Sequence, residues 1–462
     1  MSSSVPPATP LAQDWVLPGH GTSHDIAIIG AGQSGIAIAA ALKRAGVQRV
    51  VVFDAQPAPA QVGIWARTAR MNRLRTSKEL AGPEAQVDSL SYRSWFERQH
   101  GPQAYAALDR IDRLSWAQYL RWFREEAGLE VHADTHVQAL ETDAGGVQLQ
   151  VLDGQGKAAS WRVRRVVLAT GFLGSGEPFV PQAISAGLPR QAWAHTSDAI
   201  DFSQYRGKKV AIIGAAASAF DAAGTALEHG AGEVRLLCRS PALATGTPWK
   251  NTGYEGYEHF FHLPDALKWQ VLRALRQRAT FPPAESVQRA TRHAGFHLHL
   301  NTEVQAAHWR DGQALLTLNT GSWQADAVIA ATGYQVDFAR QPLLAAISER
   351  VQTWGERFQP QAGDSDPGLA RFPYLGEHMQ LLARGTDAGL SRIVCYNAAA
   401  MASHGRIIGD IPSMKYSVPL VVNGLVRALW LEDAERYVDR LINTPSPVEL
   451  EPQVWASAVA EL

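Results

Sequence analysis

Apolar residues along this chain fall into short, bounded runs. The segments IAII (26–29), VVVF (50–53), VAII (210–213) and VIAA (328–331) are β-branched or small and close within two residues on glycine or aspartate. That is the pattern of strands buried on both faces of a parallel sheet. Ala-rich stretches with helical spacing follow the first and third of them. LSWAQYLRWFREEAG (114–128) spaces Trp116, Tyr119, Leu120 and Phe123 at i, i+3, i+4 and i+7. It predicts an amphipathic helix behind a Ser115 cap, with its aromatics in the core. VPLVVNGLVRALW (418–430) is too short for a bilayer span and contains Arg427, so it reads as a buried helix. FHLHLNTEV (296–304) alternates His297 and His299 on one strand face; without a third ligand at suitable spacing, no metal site is expected.

The pentapeptide AIIGA occurs twice, at 27–31 and 211–215. After its first copy the chain reads G-x-G-x-x-G (Gly30, Gly32, Gly35), then a helix, then a strand ending at Asp54. This is the βαβ arrangement that binds a dinucleotide: Gly30 for the tight turn, Gly32 for close approach to a pyrophosphate, Gly35 for helix–strand packing, and Asp54 for a ribose hydroxyl. In the second copy Gly214 keeps the turn, but Ala216 and Ala219 replace the later glycines, and the next strand ends in Cys238-Arg239. An arginine there can pair with a 2′-phosphate, which favours NADPH while leaving NADH open; the alternative is a Rossmann unit kept only for structure. Two further repeats, RRVVLATGF (164–172) and ADAVIAATGY (325–334), each run a buried strand into Ala-Thr-Gly-aromatic. Thr170, Gly171, Thr332 and Gly333 thereby become candidate cofactor contacts.

Composition narrows the field. A chain of 462 residues exceeds one usual core, and 46% hydrophobic and 19% charged residues with a net charge of −1 describe a globular protein without the basic excess of a nucleic-acid binder. No membrane span is expected. The opening residues hold Ser and Pro without a basic or apolar signal region, so residues 1–22 read as a disordered tail and the location as cytoplasmic. The two cysteines, Cys238 and Cys395, make neither a disulfide framework nor a C-x-x-C pair. The fold class is α/β, with two Rossmann-like dinucleotide-binding domains, one inserted in the other: 23–205 and 326–462 for the outer domain with its C-terminal helices, 206–325 for the insert.

Two glycine loops with two Ala-Thr-Gly motifs resemble the single-component flavoprotein monooxygenases: flavin-containing monooxygenases, Baeyer–Villiger monooxygenases and microbial N-hydroxylases. TARMNRLRTSKELAGPEAQVDSLSYRSWFERQHG (68–101) and CYNAAAMASHGRIIGDIP (395–412) are similar in wording to the branch of FAD-dependent urate hydroxylases and aspartate N-monooxygenases. The resemblance implies FAD on the outer domain and NADPH on the insert. It also implies O2 as co-substrate and a C4a-hydroperoxyflavin that hydroxylates a small polar molecule, with urate or an amino acid as examples. An uncoupled oxidase or flavin reductase on the same scaffold, and a non-catalytic dinucleotide-binding module, are the alternatives; a homo-oligomer is left open. It carries FAD contacts onto Gly30, Gly32, Gly35 and Asp54, with Gly63 and Trp65 near the flavin, and NADPH contacts onto Gly214, Ser218, Ala219 and Arg239. His195 stands where the family fingerprint places its histidine, although Pro189, Gln191 and Ala199 depart from that pattern.

The same resemblance brings the C-terminal return to the flavin ring, which makes Asn397 and His404 candidate donors there; helix capping and a turn are the plainer roles. Asp410 would contact the ribityl chain or cap the following helix. Arg73, Arg75 and Lys78 form a basic cluster that would meet an anionic substrate, the FAD phosphates, or only solvent. Lys250 and Asn251 lie in the insertion 247–269 and would line a substrate or nicotinamide entrance, or a surface excursion.

Overall fold

The computed structural model describes residues 13–57, 62–79, 82–251, 253, 256, 258–407 and 410–459. Each of the four short apolar runs named first forms a strand. In the first sheet the order is Glu130–His132, Val50–Phe53, His24–Ile29, Ala158–Leu168, Gly146–Asp153, Thr135–Asp143, and Ile393–Cys395 also pairs with Ala158–Leu168. The dinucleotide strands pair in parallel, with Ile29 opposite Phe53 on one side and Leu168 on the other, so both loops that follow open at the same edge. The second sheet is wholly parallel, in the order Phe296–His299, Glu233–Leu237, Lys209–Ile213, Ala327–Ala330, Trp193–His195.

Sheet membership moves the expected boundaries. Trp193–His195, read as part of the outer domain, and Ala327–Ala330, read as its return, both pair within the second sheet. The chain then crosses back through a two-stranded ribbon in which Tyr334–Val336 runs antiparallel to Gly176–Pro178. The insertion does not stand apart on the surface. Phe260 and Trp269 of the insertion, with Leu272 just beyond it, pack with Trp354, Leu369, Phe372 and Ala402 of the return in one buried cluster. That packing fastens the second unit to the first.

Two local expectations are corrected. The aromatic helix runs Arg113–Glu126 and buries Trp116, Tyr119, Leu120 and Phe123, but its cap is Asp112, which accepts from the Leu114 and Ser115 amides. The Ser115 hydroxyl instead bonds the Tyr92 hydroxyl at 2.7 Å. Within the expected tail, residues 1–12 lie outside the described residues, while Trp15 and Val16 are docked: Trp15 donates to the Ala45 carbonyl, and Val16 is core. The apolar run at 418–430 lies in the helix Met414–Glu432, which buries Val418, Val421, Val422, Leu425 and Leu429. Among the described residues no helix is long and apolar enough to cross a membrane.

Candidate functional site

Each glycine loop opens onto a cavity of about 520 Å³. The first is lined by Gly30, Gly32, Asp54, Gly63, Thr170 and Gly171. Gly30 has φ +104°, and a Cβ there would lie 2.4 Å from the Ala169 carbonyl oxygen. Gly35 is tighter still: its Cβ would fall 1.8 Å from the Gly30 oxygen, so only glycine lets the helix approach its own loop. Gly32 is different. Its backbone is extended, and the nearest atom a Cβ would meet is the Gly63 Cα at 3.9 Å, so the protein leaves a cradle beside it. The helix Gln33–Arg44 starts there without a side-chain cap, which leaves its first N–H groups open at the cavity edge, a ready anion site. Asp54 accepts from the Ala31 amide at 2.7 Å and the Gln56 amide at 2.8 Å, which fixes its carboxylate at the rim. Arg67 also lines this cavity; no sequence rule pointed to it. The donor set and the cradle fit a dinucleotide diphosphate.

The second cavity repeats the turn and changes what surrounds it. Gly214 has φ +122°, and its Cβ would lie 2.4 Å from the Ala331 carbonyl oxygen. Ala216 is extended at the start of an uncapped helix, Ala217–Glu228, and Ala219 is fully buried. Ser218, Arg239, Ser240, Arg278, Thr332 and Gly333 line the space. Arg276 lines it as well but is paired with Asp366 at 3.0 Å.

The two Ala-Thr-Gly motifs meet between the cavities. Phe172 and Tyr334, the aromatic residue that ends each motif, are stacked with centroids 5.3 Å and planes 18° apart. His195 lies edge-on to Tyr334 at 5.4 Å, and its Nδ1 bonds the Ser197 hydroxyl at 2.8 Å. Burial pushes its pKa down. Arg70, which the sequence reading passed over, donates to the Thr196 and Asp198 carbonyls and so ties the outer domain to this crossing.

The substrate candidates do not converge. Arg75 forms an ion pair of 2.6 Å with Asp221, a buried carboxylate on the second domain's first helix that also accepts from Ser286 at 2.7 Å. Arg73 pairs with Glu285 at 3.1 Å and Asp109 at 3.2 Å. Lys78 donates to the Tyr105 and Ala106 carbonyls at 2.7 and 3.1 Å. The basic cluster is therefore largely a clasp within and between the domains. Lys250 is exposed and lies over Phe281, and Asn251 lines a smaller cavity of about 470 Å³ with Arg278. The signal for Asp221 was present as the one charge in ASAFDAAGTAL (217–227).

Of the return residues, Asn397 Oδ1 accepts from the Ala399 amide at 3.0 Å, the capping role, while its Nδ2 donates to Thr170 Oγ1 at 3.1 Å. It thus links the return to the first cavity wall. His404 is buried under Phe261, stacked at 4.8 Å, with Nε2 at 3.0 Å from the Gly376 carbonyl. Burial pushes its pKa down to about 4, so it is neutral at pH 7 and its one ring proton goes to Gly376. That geometry removes the donor role expected of His404. Asp410 accepts from the Ser413 amide at 2.9 Å just before the helix Met414–Glu432 and pairs with Arg406 at 3.3 Å. Trp65 packs edge-on against Trp116 at 6.5 Å.

Residues 27–251 match the pyridine nucleotide-disulphide oxidoreductase family. Its dithiol chemistry has no counterpart in a chain whose only two cysteines are both buried and unpaired, with Cys395 pushed up to about 12 by burial. The chain is 36% identical to the FAD-dependent urate hydroxylase of Xanthomonas campestris pv. campestris, over 92% of this chain and 91% of that protein. The fold is shared with L-lysine 6-monooxygenase from Pseudomonas syringae, with a TM-score of 0.68 at 19% identity over 88% of this chain and 99% of that one. The Kutzneria ornithine N-hydroxylase also gives a TM-score of 0.68, at 17% identity over 88% of this chain and 99% of that one. By its near full-length identity to the Xanthomonas enzyme, and with two dinucleotide loops on one continuous scaffold, the chain belongs to the class B flavin monooxygenases.

Proposed function

We propose that this enzyme hydroxylates urate or a closely related anionic heterocycle, holding FAD in the first cavity and NADPH in the second. The observation that carries the substrate is the 36% identity to a urate hydroxylase along 92% of the chain, set against 17 to 19% for the amino-acid N-hydroxylases that share only the fold. The bound flavin supplies hydride acceptance and oxygen activation; the chain supplies position and exclusion of water. Gly30 and Gly35 set the turn, the open helix start takes the pyrophosphate, and Asp54 takes the adenine ribose.

On the other side Arg239 and Arg278 face one cavity and favour the 2′-phosphate of NADPH. The stacked Phe172–Tyr334 pair and the Arg75–Asp221 clasp hold the two nucleotide sites in one orientation. The test is NADPH oxidation by the flavin-loaded enzyme with urate, aspartate, ornithine and a sulfide, following both product and hydrogen peroxide. Urate should be consumed one-for-one with NADPH and with little peroxide. Peroxide equal to NADPH with every compound would assign an uncoupled oxidase instead, and coupling only to an amino acid would overturn the substrate.

A further inference from the structure

Helix Ala434–Asn443 carries Ala434, Tyr437, Val438, Leu441 and Ile442 at i, i+3, i+4, i+7 and i+8, a single apolar stripe. Its own chain covers only the near end. Tyr437 stacks on Trp430, centroids 5.6 Å and planes 5° apart, and donates to the Trp15 carbonyl. Farther along, Val438, Leu441 and Ile442 are 48%, 82% and 71% exposed. This is where the molecule concentrates open apolar surface: ten of the 21 exposed large hydrophobic side chains among the described residues fall between 430 and 459. Such a patch marks an interaction surface rather than scatter.

The charges beside the stripe select the occupant. At 100° per residue, Glu435 and Asp439 border one side, and Arg436 and Arg440 the other. Arg436 is bonded to Asp433 and to the Pro18 carbonyl, so Arg440 carries the basic border outward. A two-fold axis along the helix sets the acidic border of one copy against the basic border of the other, whereas an axis across it would oppose like charges. We propose that this stripe pairs in parallel with the same stripe of a second copy of the chain, giving a two-fold homodimer.

The test uses the full-length, flavin-loaded protein at micromolar concentration, with mass measured by light scattering after gel filtration. Wild type should be a dimer, and Leu441→Glu a monomer, its dimer dissociation constant raised at least about a hundredfold by two carboxylates in the apolar contact. Leu441→Cys should form a disulfide-linked dimer under oxidation, because the parallel axis sets residue 441 against its own copy and the natural cysteines, Cys238 and Cys395, are buried. Leu441 is open enough for both variants to keep wild-type flavin content and melting temperature, which are measured alongside. A monomeric wild type overturns the proposal, the result expected if the chain's own C-terminal segment covers the stripe. So does a dimer that survives Leu441→Glu, or a Leu441→Cys dimer that does not cross-link.

Discussion

The two glycine loops share a pentapeptide and one turn, yet they are not equivalent. In each, the first glycine sits at positive φ with its Cβ direction 2.4 Å from the carbonyl of an Ala-Thr-Gly motif, Ala169 in one and Ala331 in the other. They part at the third position. Gly35 has no room for a methyl, whereas Ala219 carries one in full burial. The first helix thus closes tightly on its loop, and the second keeps one methyl of spacing. Beyond the loops, Asp54 faces the first cavity, and Arg239 with Arg278 the second. The turn is written in the repeated words; the charges that distinguish the two cavities are written elsewhere. Under the proposed assignment, the tight loop keeps FAD resident and the looser one admits a nucleotide that must come and go.

Gly35→Ala should break the comparison most severely. A methyl 1.8 Å from the Gly30 oxygen forces the helix off its strand, at a cost of about 3 kcal/mol or more, and should strip the flavin. The reciprocal Ala219→Gly should cost only about 1 kcal/mol, the price of glycine in a helix, and leave flavin in place. The flavin-to-protein absorbance ratio and the melting temperature read both; equal losses would make the loops alike.

Acid probes the seam between the two units through His404, which lies between Phe261 and the Gly376 carbonyl. Its folded pKa of about 4 lies below the unfolded value of about 6.5, so the unfolded chain takes up the proton first. Stability is intact above pH 6.5 and falls as pH drops toward 4, by up to about 3 kcal/mol. His404→Gln should flatten that part of the pH–melting curve, and an unchanged slope would show that another group carries it.

Arg239→Ala sharpens the second side. It should raise KM for NADPH about tenfold and leave that for NADH nearly unchanged, the scale of one lost charge-assisted contact. Equal shifts for the two nucleotides would remove Arg239 from the 2′-phosphate. The smallest effect belongs to Ala216→Gly. Ala216 and Gly32 are both extended, so the methyl strains nothing, and NADPH binding should tighten by no more than a few-fold with flavin content unchanged.

The loops, their strands and the aromatic helix were legible in the sequence because their signals lie within about thirty residues of one another. What was misread depended on distant partners. Arg75 looked like a ligand for a substrate because Asp221 is 146 residues away, and Arg73 because Glu285 is 212 away. Trp15 looked like tail because the tyrosine that bonds its carbonyl lies 422 residues on. The domain boundaries slipped because Trp193–His195 and Ala327–Ala330 look like any short buried strand until they pair side by side in the second sheet. His404 kept its place in the return but not its role, since only the fold supplies the Gly376 carbonyl and the Phe261 ring.

The most direct measurement uses the matched insult that the structure provides. Gly30→Ala and Gly214→Ala place the same methyl at the same 2.4 Å from a carbonyl, each at positive φ, and differ only in which loop they strain. Flavin content and the anaerobic rate of flavin reduction by NADPH are measured for both, with circular dichroism to confirm the fold. Gly30→Ala should lose FAD, and Gly214→Ala should keep it while its reduction by NADPH slows at least about tenfold. Loss of FAD from Gly214→Ala, or its reduction at the wild-type rate, would contradict the assignment of the two loops.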